Sequence, residues 1–129
     1  MNTKIFNNLS PEEAYEKAKK EGPSDETRKV ACGDPYCAYC YAIDVDKGPR
    51  NDTRKAACGD SFWIYLYARF VDKNPREDTR KAACGNPDHA YLYAKDVDKK
   101  FHKLTWEAVK GSECEDFYCE KVFDAGRKI

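Results

Sequence analysis

No apolar run in this chain approaches the roughly 18 to 20 residues that a membrane-crossing helix needs. The first residues, Lys4, Asn7 and Asn8 among them, lack the apolar stretch of a signal peptide. Charge of one sign is missing as well: 23 basic residues face 23 acidic ones, so no global field draws in nucleic acid or an anionic membrane. Histidine is nearly absent. His89 and His102 are the only two, neither sits in a serine or cysteine nucleophile motif, and no glycine-rich phosphate loop exists. These absences predict a cytoplasmic protein that is not an enzyme, carries no cofactor and does not enter a membrane. Seven cysteines make an odd number for a disulfide framework, and a reducing compartment keeps them as thiols. The Asn51-Asp52-Thr53 sequon is therefore disregarded.

What is there is a repeat. Thr27, Thr53, Thr79 and Thr105 stand 26 residues apart, and the same step links Cys32, Cys58 and Cys84, the glycines 33, 59, 85 and 111, and the Asp-Lys pairs 46/47, 72/73 and 98/99. The 129 residues suit a single domain, 1–129: an N-terminal half-repeat cap over 1–24, repeats over 25–50, 51–76 and 77–102, and a degenerate capping repeat over 103–129. Ile5, Phe6 and Leu9 precede the first helix start, Ser10-Pro11-Glu12-Glu13, which places a helix over about 11–21 before Gly22-Pro23.

Each full repeat reads as two helices. The first is short, starting at an acidic cap such as Asp52 and ending where Gly59 turns left-handed; the second begins at Asp34, Asp60 or Asn86 and runs over about 35–47, 61–73 and 87–99, two of the copies stopping at a proline. Ala38, Tyr41, Ala42 and Val45, with their counterparts one and two repeats on, fall at helical spacing and form the buried face. Two helices in 26 residues cannot enclose a core alone, so successive repeats must stack. The expected fold is all-α, an α-solenoid of helical-hairpin repeats with terminal caps.

The composite pattern TRKAACGDP…YAYLYA…VDK…PR, spread over about residues 25–104, resembles tandem short-helix repeats of small bacteriophage and bacterial proteins of uncharacterised function. More loosely it is similar to variant leucine-rich and HEAT-like solenoids. The resemblance implies binding to another macromolecule, with phage inhibitors or adaptors acting on host defence complexes as one form of it. It carries over no active-site residue.

Three groups of residues compete for a role. Cys32, Cys37 and Cys40 have a spacing found in metal and cluster sites, but Cys32 shares its place with Cys58 and Cys84, so packing is the expectation and no metal is assigned. Cys32, Cys58 and Cys84 are expected to be buried free thiols. Arg28, Lys29, Arg54, Lys55, Arg80 and Lys81 recur on the short helices and could form a stripe for nucleic acid, or else pair with the aspartates at the helix ends. The aspartates 46, 72 and 98 are expected in ion pairs from repeat to repeat. The residues that vary between repeats gather on the outer face of the long helix: Tyr36, Phe62, Trp63, Leu66, Arg69, Phe70, His89 and Lys95. Their aromatic and arginine content suits a protein partner, and a homo-oligomer is compatible with it.

Overall fold

The computed structural model describes residues 8–123, so Ile5 and Phe6 lie outside the described residues. Those residues form nine short α-helices and no strand. Helix α1 spans Pro11–Glu21; α2, Asp25–Ala31; α3, Pro35–Cys40; α4, Asn51–Ala57; α5, Ser61–Leu66; α6, Glu77–Ala83; α7, Pro87–Tyr93; α8, Lys103–Val109; and α9, Glu115–Tyr118. Helices α3, α5, α7 and α9 run on into π-helical segments, Tyr41–Asp46, Tyr67–Asp72, Ala94–Asp98 and Cys119–Phe123. The arrangement is repeat-like: α3, α5 and α7 pack side by side, their π-segments do the same, and each short helix bridges its own long helix to the one before it.

The starts follow from capping chemistry. Ser10 and Glu13 form a reciprocal capping box at α1, and the side chains of Asp34, Asp60 and Asn86 accept backbone N–H bonds at α3, α5 and α7. Asp52 is not a cap. Arg50 holds the N-cap position of α4 and Arg76 that of α6, while the carboxylates of Asp52 and Asp78 accept from the Thr53 and Thr79 amides. The acid thus belongs to the first turn, where the helix dipole favours it.

The ends differ from the sequence expectation. Gly33, Gly59 and Gly85 are not left-handed; among the described residues the positive-φ positions are Gly22, Gly111, Lys47, Lys73 and Lys99. Space is tight at Gly59, since a Cβ there would stand 3.2 Å from the Pro35 ring of the preceding repeat. Closure of the long helices falls to Lys47, Lys73 and Lys99, with φ of 56°, 58° and 57°. The third copy closes at the same place without a proline. Proline is therefore not the stop signal.

The π-winding has a use. Bonding from i to i+5 sets residues five apart nearly above one another, whereas an α-helix would turn them aside. Tyr41 and Asp46, Tyr67 and Asp72, and Tyr93 and Asp98 are such pairs, and both members reach back to the short helix of their own repeat. Each tyrosine hydroxyl lies 2.7 Å from a threonine Oγ1 (Thr27, Thr53, Thr79) and accepts from the backbone N–H of Ser24, Arg50 or Arg76 at 3.0 Å. Each aspartate takes the Nε–Nη2 edge of Arg28, Arg54 or Arg80. These ion pairs close within a repeat and not between repeats.

The last repeat keeps the geometry with one residue fewer. Tyr118 meets Thr105 at 2.7 Å, in the role of Tyr93. Trp106 stands where the arginine was, against the Tyr118 ring at 5.5 Å, and Phe123 packs on it edge-on at 5.4 Å in place of the aspartate. Three core clusters result, centred on Tyr41, on Ile64 with Tyr67 and Tyr93, and on Val109 with Tyr118.

Candidate partner-binding face

The eight candidate residues come from α3, α5, α7 and the π-segments after α5 and α7. Because those helices lie side by side, Tyr36, Trp63, Phe62 and His89 form one aromatic row across three repeats. Tyr36 stands 4.6 Å from Trp63, Trp63 5.0 Å from Phe62, and Phe62 5.3 Å from His89. Tyr39 supports Trp63 from below at 5.9 Å. Such tilted and edge-on pairs stabilise by about 0.5–1.5 kcal/mol each beyond the area they bury. The row is a continuous strip of ring contacts.

Exposure along it is uneven. Tyr36 is 43 % exposed and Phe70 42 %, while Phe62, Trp63, Leu66 and His89 are half-buried, Phe62 and Leu66 packing on the central core cluster. The position of Leu66 is therefore a seam between repeats and not an outward face; Cys40, its counterpart in the first repeat, is buried. At the far end of the long helices Arg69 lies over the Phe70 ring at 4.9 Å, and Lys95 bonds Asp96 at 2.9 Å.

One contact escaped the sequence reading. The Ser61 hydroxyl lies 2.6 Å from Nδ1 of His89, across two repeats. Ser61 opens α5 where Pro35 and Pro87 open their helices, so only this copy has a hydroxyl to offer. No carboxylate orients the other ring nitrogen among the described residues, and the contact fixes the His89 ring beside Phe62. Aspartates 44 and 96 were missed too: they accept the hydroxyls of Tyr15 and Tyr65.

Of the two alternatives for the basic residues, the arginines take the pairing with the helix-end aspartates. Arg28 and Arg54 are buried, with side chains 8 % and 9 % exposed, and Arg80 is 11 % exposed, each held by an aspartate. Each guanidinium also lies over a tyrosine ring of its own repeat, 5.4–5.8 Å from the centroid. Lys29, Lys55 and Lys81 remain outside, exposed and one repeat apart.

Among the described residues no group of three or more His, Cys, Asp or Glu side chains is placed to hold a metal ion. Cys37 and Cys40 are buried, and burial pushes the Cys37 thiol up to about 12. All seven cysteines are free thiols. Cys32, Cys58 and Cys84 are half-buried and not fully enclosed; each is the C-cap residue just past its short helix. Burial still raises Cys32, to about 11. Protonated thiols are poor nucleophiles and poor ligands.

No helix among the described residues is long and apolar enough to cross a membrane. Set beside protein-family models, curated sequences and solved structures, the chain matches none of them.

Proposed function

We propose that the chain is a small α-solenoid that acts without catalysis, by docking a protein partner on the aromatic row of its long helices. The observation that supports this reading is a division of labour. The recurring threonines, tyrosines 41, 67 and 93, and arginines 28, 54 and 80 are spent inside each repeat, on the Thr–Tyr and Arg–Asp bonds, whereas Tyr36, Trp63, Phe70 and Arg69 recur nowhere and lie on a partly open face. Large rings held in place supply contact area at small entropic cost, which is the character of interface anchors. Following the resemblance to phage repeat proteins, the partner we propose is a component of a host complex, which the chain would inhibit or adapt.

Nucleic-acid binding is the second reading. It now rests on Lys29, Lys55 and Lys81, since the arginines between them are consumed. Salt and substitution separate the two. With the full chain immobilised and a bacterial lysate passed over it, Phe70→Ala should abolish capture of the partner, while Lys29→Ala, Lys55→Ala and Lys81→Ala together should leave it intact at moderate salt. Capture lost with the lysines and steeply with ionic strength would refute protein docking in favour of phosphate contacts. Trp63→Ala is the weaker probe, because that ring also packs on Tyr36 and Tyr39 and its loss costs stability.

A further inference from the structure

Six arginines lie among the described residues, and five of them close the Nε–Nη2 edge of the guanidinium on an aspartate. Arg28, Arg54 and Arg80 do so in the interior, Arg50 and Arg76 at the surface on Asp52 and Asp78. Arg69 does not. Its bonds leave from Nη1, to the Tyr65 hydroxyl at 2.9 Å and to Asp96 at 3.3 Å, and its Nε–Nη2 edge has no partner among the described residues. Its side chain is 43 % exposed and lies on the Phe70 ring.

The missing carboxylate can be located in the sequence. In the flanking repeats the position of Phe70 holds Asp44 and Asp96, which accept from Tyr15 and Tyr65. The middle repeat has exchanged the acid for a ring, and the hydroxyl of Tyr39, one repeat before Tyr65, has no hydrogen-bond partner among the described residues. Asp96 cannot make up the deficit. Its carboxylate, 13 % exposed, is already shared by Tyr65, Lys95 and Arg69. Two cations on one acid leave a local excess of positive charge beside an exposed ring.

We propose that this place receives an acidic protein segment: an aspartate or glutamate carboxylate bonded by Nε and Nη2 of Arg69, with a neighbouring apolar side chain of the same segment lying on Phe70. The planar guanidinium fork matches a carboxylate in two parallel bonds, which fixes orientation as well as attraction. The inference rests on the docking reading and names the chemistry of the partner.

A random 12-residue peptide display library, panned on the full chain, tests it. The retained peptides should carry Asp or Glu next to a large apolar residue. Measured by fluorescence anisotropy, Arg69→Gln should weaken them about tenfold, and so should changing the peptide's acid to its amide; the two losses together should equal either one, because both remove the same bond. Arg69→Lys, which keeps the charge but loses the fork, should restore only part of the affinity. Peptides that depend on Phe70 but carry no acid, or that ignore Arg69, would overturn the acidic partner and leave the docking face standing. Retention of no peptide would overturn both. Displacement of acidic peptides by a single-stranded 12-nucleotide DNA that itself needs Arg69 would assign the edge to phosphate and refute the proposal.

Discussion

Replacing Tyr67 by phenylalanine removes one oxygen and leaves the packing alone, so its cost can be worked from the bonds around that oxygen. The side chain is fully enclosed. Its hydroxyl accepts from the Arg50 N–H at 3.0 Å, reaches the Arg50 carbonyl at 3.0 Å and meets Thr53 Oγ1 at 2.7 Å. After the change the Arg50 carbonyl keeps the Arg54 amide at 3.0 Å, and Thr53 Oγ1 keeps that carbonyl at 3.3 Å. The Arg50 N–H keeps nothing. An orphaned donor costs about 1–3 kcal/mol and an ordinary lost bond about 1 kcal/mol, so Tyr67→Phe should destabilise the chain by roughly 2–3 kcal/mol. Urea unfolding followed by far-UV circular dichroism reads it as a lower midpoint at unchanged slope. Tyr41→Phe and Tyr93→Phe should cost the same, since the network is copied there. Tyr39→Phe is the control, with no bonded hydroxyl, and should stay within about 0.5 kcal/mol of the parent. A Tyr67→Phe variant indistinguishable from Tyr39→Phe would refute the hydroxyl ladder as a source of stability.

The buried ion pair makes the next prediction: Arg54→Met or Asp72→Leu alone should cost about 3–5 kcal/mol by stranding a charge, and the double variant should recover most of that loss in the same unfolding assay. No recovery in the double variant would mean that the pair is needed for packing and not merely for neutralising itself. On the alkaline side, burial raises Cys32 from its ordinary 9.0 to about 11, so the folded state keeps a proton that the unfolded chain gives up. The stability tied to that thiol is whole below pH 9 and is lost as pH rises toward about 11. Urea midpoints taken across this range should fall less steeply for Cys32→Ala than for the parent, and equal slopes would exclude the thiol as the cause.

The helical class and most helix starts were legible because a recurring sequence lets one copy check another. Caps at Asp34, Asp60 and Asn86, the apolar face through Tyr41 and Ala42, and the half-repeat at Ser10 each rest on local chemistry that sequence displays. Pairing of the short-helix arginines with the helix-end aspartates was one of two open alternatives; what escaped was that each pair closes within its own repeat. Asp46 follows Val45 and precedes Lys47, and nothing in that neighbourhood says that Arg28, 18 residues back, takes its carboxylate. The π-winding hid it, since helical periodicity at 3.6 residues turns Asp46 away from Tyr41's face. Glycine at 59 was legible as special but for the wrong reason, close approach of Pro35 and not a left-handed turn. The one-residue contraction in the last repeat likewise concealed Tyr118, which stands a residue short of the expected step from Tyr93.

The last repeat also explains why the variable residues, and not the recurrent ones, carry the functional argument. There the buried Arg–Asp pair has become Trp106 with Phe123, and the fold continues around it. A buried pair and an apolar pair of similar volume are close in stability. The charged version therefore cannot be kept for stability alone, and in three repeats it turns the arginine inward, where no partner can reach it. Recurrent arginines that looked like a binding stripe are thus the internal struts of each repeat. Arg69 has the same side chain but lies in the π-segment after α5 and not on a short helix, beside a ring where its neighbours in register keep an acid. Its open edge is meaningful because the same chain shows five times what a guanidinium does when an acid is at hand.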